Sequence, residues 1–160
     1  MKRLLLILIL TLLAACNEGA EGDKVKQVIQ SIAEPKVADD KHDMPLEYKF
    51  AVVSVGKYIP ENDPSVIHSK ELLDRAANEY GEAPVAISDM SIAGANAGKE
   101  EGIDVTALEV LEAGAICHIG EGTPEFAKVI ALYLGVRKGG QSHTEAVVGL
   151  KGILNIAAGK

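Results

Sequence analysis

The sequence predicts an α+β fold that is predominantly helical, with a small strand element and a C-terminal core of three helices. Three observations carry that expectation. Thr106 with Glu109, and Ser142 with Glu145, have capping-box spacing, and each pair precedes apolar residues at helical intervals. Asp63 followed by Pro64 supplies a cap and a first-turn proline for a further helix. Between residues 46 and 59 the apolar period shortens to two, the spacing of a strand with one buried face.

The chain opens on a segment of another kind. Lys2 and Arg3 precede the apolar run Leu4 to Leu13, broken only by Thr11, and Leu13-Ala14-Ala15-Cys16 follows. A spanning helix needs roughly 20 apolar residues, more than this run supplies. A positive start, a short apolar centre and small residues at the end make an export signal. An ordinary secretory signal would use Ala14 and Ala15 for its own peptidase, whereas the cysteine that follows them resembles the lipobox of bacterial lipoproteins. That resemblance implies a diacylglycerol on the Cys16 thiol, cleavage before Cys16 by signal peptidase II, and acylation of the new amine. Asn17, where an aspartate would imply inner-membrane retention, implies an outer-membrane protein facing the periplasm. Residues 1–15 are then signal peptide, 16–22 a lipidated tether, and 23–160 a single globular domain of ordinary size.

Within that domain, Val25, Val28, Ile29 and Ile32 recur at helical spacing between Asp23 and Pro35, giving a short amphipathic helix. Pro35 to Pro45 is charged and reads as a solvated connection. Leu46, Tyr48, Phe50 and Val52 alternate with Glu47, Lys49 and Ala51, giving the strand over 46–59. Val66, Leu73, Ala77 and Tyr80 share a helical face that ends at Gly81. Residues 84–88 read as a second short strand, and Ser88 to Gly102, rich in glycine, alanine and serine, as a long mobile loop. The three terminal helices follow from Thr106, from Thr123-Pro124-Glu125 and from Ser142, with breaks at 120–122 and 139–141. Gly149 and Gly152 are expected on a close-packed side of the last one. These helices carry few charges and are apolar around much of their circumference, so they form either a helical core or a face that docks a partner.

Composition narrows the function classes. The chain has 16 basic and 23 acidic residues, and loss of Lys2 and Arg3 on cleavage leaves 14 basic. An acidic chain without clustered Lys and Arg opposes nucleic-acid binding, and its surface is expected to be repelled by anionic headgroups, leaving the lipid on Cys16 as the membrane contact. With no tryptophan and few other aromatics, platforms for stacking sugars or bases are not expected. Lipidation of Cys16 leaves Cys117 without a disulfide partner.

Few residues suggest chemistry. Cys117 beside His118 has the elements of an activated thiol, with Glu121 to orient the base and His143 as a second base. Adjacent helical side chains diverge by about 100°, however, which favours an inert buried cysteine. Haem attachment is excluded because Gly114 stands where a second cysteine would be needed. His42 among Asp39, Asp40, Lys41 and Asp43 matches no metal loop, and His68 with Glu71 reads as helix surface. Gly94 to Lys99 departs from a phosphate loop in its glycine spacing and in Glu100 after the lysine. No catalytic, metal or cofactor residue is assigned. The expected function is a lipid-anchored, non-enzymatic accessory or binding subunit of the bacterial envelope, contacting a protein partner through its C-terminal helices; the alternative is a small thiol enzyme using Cys117 with His118 or His143.

Overall fold

Helix-terminus signals decide most of the architecture. The computed structural model describes residues 44–159, and they form α1 (Leu46–Val55), α2 (Pro64–Tyr80), α3 (Pro84–Glu100), α4 (Ala107–Ile116), α5 (Phe126–Lys138) and α6 (His143–Ala157). The helix expected from Asp23, and the charged connection up to Asp43, lie outside the described residues. The helical majority is as expected, but there is no strand among the described residues.

The strand expected over 46–59 is α1 and the turn after it. Two helical stripes explain the misleading alternation. Leu46 and Phe50, one turn apart, face the main core, while Tyr48, Ala51 and Val52 face a second cluster with Ile59 and Val66. Two stripes at i, i+4 offset by two residues reproduce an every-second-residue pattern. Tyr48 also donates its hydroxyl to the Ile59 carbonyl at 2.8 Å, tying the turn back onto the helix. Gly56, at φ 73°, takes the left-handed conformation that ends α1.

The second expected strand, 84–88, and the expected mobile loop, 88–102, together form α3. Pro84 occupies its first turn, where a missing N–H costs nothing. The small residues that suggest a loop are its packing face: Ser88, Ser91, Gly94, Ala95 and Gly98 are all buried. A methyl group at Gly94 would lie 2.7 Å from Ile130 Cγ2, and one at Gly98 would lie 2.6 Å from Val105 Cγ1. These glycines let α3 approach its neighbours closely. Tertiary packing here outweighs poor helix propensity.

Helix α4 is the hub, touching α1, α2, α3, α5 and α6. Its capping box forms as expected: Glu109 N–H donates to Thr106 Oγ1 at 3.2 Å, and Thr106 N–H donates to Glu109 Oε2 at 2.8 Å. Ala107, Val110, Leu111, Ala113, Gly114 and Ala115 are buried along it, and the Phe126 ring fills the space over Gly114. The helix ends at Ile116 rather than continuing to Gly120, so the connection to α5 is longer than expected. Thr123 organises it, accepting from Ile119 N–H at 3.0 Å and donating to the Gly120 carbonyl at 2.6 Å. Helix α5 buries Phe126, Val129, Ile130, Tyr133 and Leu134, each such side chain contributing about 1.5–3 kcal/mol. Helix α6, packed on α5 and α4, closes the core with Ala146, Leu150 and Leu154.

Candidate functional site

Cys117 is the residue after the last turn of α4, completely buried, and its backbone N–H still bonds to the Ala113 carbonyl. The thiol contacts the Val147 carbonyl of α6 at 3.6 Å. Burial pushes its pKa up to about 11, against a smaller opposing effect of Lys151. A thiol held protonated and pointed at a carbonyl is a poor nucleophile.

Neither histidine is hydrogen-bonded to this sulfur. His118 lies across α2: its ring packs edge-on against Tyr80 with centroids 5.0 Å apart, and Nδ1 accepts a long bond from Gly120 N–H at 3.4 Å. Nδ1 also stands 3.9 Å from Glu79 Oε2, while Glu79 Oε1 takes the Arg75 Nε donor at 2.9 Å. His118 therefore belongs to an α2 contact, not to a dyad with Cys117.

His143 belongs to a different group, which the sequence reading missed. Its Nδ1 is 2.7 Å from the Tyr133 hydroxyl, and Nε2 is 3.5 Å from Glu112 Oε2. Arg137 donates from Nη1 to the Tyr133 hydroxyl at 2.9 Å and from Nη2 to the Asp104 carbonyl at 2.5 Å, with Glu109 Oε1 3.5 Å away. The Tyr133 ring is fully buried. Burial pushes its phenol up to about 12. The group fastens the first turn of α6 to α4 and α5. Tyr133 and Arg137, one turn apart on α5, were the sequence signal for it.

The remaining candidates scatter. Cys16 and the acidic group around His42 lie outside the described residues. His68 and Glu71 are exposed on α2. Gly94 to Lys99 is part of α3, so its backbone amides serve the helix and do not form a phosphate cradle. Among the described residues no three His, Cys, Asp or Glu side chains are grouped to hold a metal ion.

A surface feature stands out instead. On α6, Val148, Ile153 and Ile156 are exposed by 68%, 49% and 78%. They share the outer side with Gly149 and Gly152, both exposed. The five residues fall at i, i+1, i+4, i+5 and i+8, one continuous helical face beside the buried face of Ala146, Leu150 and Leu154. The two glycines were expected on a close-packed side. Instead a methyl group at Gly152 would meet nothing within 4 Å. Leu132 on α5 is also exposed. Apolar atoms on both sides of one helix give it a buried seam and a free one, and a free seam is what an interaction surface requires.

No helix among the described residues is long and apolar enough to cross a membrane. Comparison with protein-family models, curated proteins and solved structures finds no match to this chain.

Proposed function

We propose that this chain is a lipid-anchored protein of the bacterial cell envelope, acting as a non-enzymatic accessory or binding subunit held to the membrane through Cys16, in the outer membrane and facing the periplasm. The observation that carries the binding part of this reading is the outer face of α6, which leaves Val148, Ile153 and Ile156 in solvent while the other side of the same helix completes the core. The anchor rests on the lipobox form of residues 13–16.

A thiol-dependent enzyme built on Cys117 is not favoured. Its sulfur is inaccessible, its pKa is raised by burial, and the imidazoles proposed to activate it bond elsewhere. Cys117→Ser is expected to leave binding intact.

The test of the anchor is Cys16→Ser. In a bacterial host the wild-type chain should yield a mature protein starting at Cys16 and carrying acyl mass, and the variant an uncleaved, unacylated precursor. Intact-protein mass spectrometry that finds another N-terminus, or no acyl mass on wild type, would sink the lipoprotein reading. For the binding face, Ile156→Lys should fold normally by thermal melting while losing the crosslinks that wild type forms in its host.

A further inference from the structure

The Glu79 carboxylate is used on one side only. Its Oε1 takes the Arg75 donor, whereas Oε2 is buried and has no hydrogen-bond partner among the described residues. A buried acceptor left unpaired is costly, more so when it carries charge. His118 Nδ1 stands 3.9 Å from that oxygen. The Gly120 N–H, 3.4 Å from the same nitrogen, can only donate, so Nδ1 is an acceptor as well. Two acceptors thus face each other with no proton between them.

The surroundings favour a positive charge at this point. His118 lies one residue beyond the C-cap of α4, and its ring packs on Tyr80, the last residue of α2. Helix C-termini carry partial negative charge, and neither α2 nor α4 has a basic residue in its last turn to meet it. Just past α2, burial and the neighbouring Glu125 raise the Glu82 carboxyl above its ordinary value, a sign of excess negative charge there. Arg75 on Glu79, Lys128 on Glu125 at 3.2 Å, and Lys151 of α6 acting on Cys117 oppose this. The Tyr80 phenol and the Cys117 thiol, both raised by burial, stay neutral.

We propose that His118 is a proton-operated latch between the α4–α5 connection and the end of α2. With one ring proton, Nδ1 accepts from Gly120 N–H and Glu79 Oε2 stays unpaired. When the ring takes a second proton from solvent, Nδ1–H becomes a donor to Glu79 Oε2 and releases the Gly120 amide. The contact then shortens from 3.9 Å to about 2.8 Å, ordinary for a charge-assisted bond. Gly120 and Gly122, at φ 83° and 91°, give the connection the backbone freedom to make the exchange. Imidazole changes charge between pH 5 and 8, so the latch closes on mild acidification. The doubly protonated ring gains this partner only in the folded chain, and the contribution is therefore present on the acid side and lost as pH rises.

The test is a titration of the 15N-labelled chain, purified in detergent from a bacterial host, from pH 8 to pH 5. Magnetic resonance follows the His118 ring nitrogens together with the Gly120 amide. As the ring gains its second proton, the Gly120 amide should move upfield and lose about fivefold in exchange protection, after correction for the intrinsic pH dependence. The Ile119 amide, held by Thr123, should keep its protection. His118→Phe preserves the edge contact with Tyr80 but cannot take a proton, and it should abolish the Gly120 response. In denaturant unfolding, a cycle of His118→Phe, Glu79→Leu and the double variant should show a coupling of about fivefold in the unfolding constant at pH 5 and none at pH 8.

A His118 ring that titrates while the Gly120 amide stays still overturns the proposal, and this wild-type measurement decides it even should Glu79→Leu fail to fold. A Gly120 response that survives His118→Phe belongs to another histidine and overturns it as well. So does a coupling of equal size at both pH values, which would make the contact a fixed packing interaction.

Discussion

Helices α3 and α6 each carry two glycines one turn or nearly one turn apart, and the two pairs do opposite things. Gly94 and Gly98 are buried where Ile130, Val105 and Leu134 press against the α3 backbone. Gly149 and Gly152 face outward. A glycine within a helix lowers its stability by roughly 0.5–1 kcal/mol relative to alanine. In α3 that cost is offset by the packing it permits, but α6 has no such compensation within the described domain. What the contrast teaches is that small residues in a helix mark close approach only when a neighbour is present to approach.

The sharpest way to break the comparison uses the large side chains beside those glycines. Ile130→Ala, in the side chain that meets Gly94, should destabilise the domain by about 2–5 kcal/mol in denaturant unfolding. Ile156→Ala should leave stability nearly unchanged, because that side chain is mostly in water. Equal losses would show that the outer face of α6 is covered in the full chain.

A smaller effect reverses sign between the two helices. Gly94→Ala should cost about 1–3 kcal/mol, since its methyl group would overlap the buried Ile130. Gly149→Ala should instead stabilise by up to about 1 kcal/mol through helix propensity alone. Thermal melts of the two variants check this directly, and a destabilised Gly149→Ala would mean that something packs on that face.

The smallest effect concerns the start of α6. Its hydrogen bonds from the Ser142 hydroxyl and backbone N–H hold the Glu145 carboxyl below its ordinary pKa of 4.5. A depressed carboxylate stabilises above the unfolded-state pKa, and that contribution is lost as pH falls through the lower folded value. Acidification below about pH 4.5 should therefore fray the first turn of α6 before the core opens. Amide exchange at Glu145 and Ala146 would follow it, and Glu145→Gln should remove the pH dependence.

Much of this fold was legible because helix ends are local. Asp63-Pro64, Thr106 with Glu109, Ser142 with Glu145, and Gly81 act through bonds within a few residues of themselves, so sequence spacing is enough to find them. The failures were tertiary. Helix α1 looked like a strand because it serves two clusters, and α3 looked like a loop because its packing face has almost no side chains to display a period. The α6 surface was half legible: apolar residues on several sides were evident, but which side faces water depends on where α4 and α5 lie. The lipid-anchor reading draws on residues 13–16 alone.

The group that fastens α6 carries a direction as well as a strength. A guanidinium only donates, so the bond from Arg137 takes one of the acceptor positions of the Tyr133 oxygen. The phenol keeps its own proton, being pushed up to about 12 by burial, and its oxygen shares a hydrogen bond of 2.7 Å with His143 Nδ1. The other ring nitrogen, Nε2, faces Glu112 Oε2 at 3.5 Å. The contacts thus run from the last turn of α5, through the first residue of α6, to the middle of α4. The helix that presents the outer apolar face is therefore set in place by a chain of polar contacts whose first member can only donate.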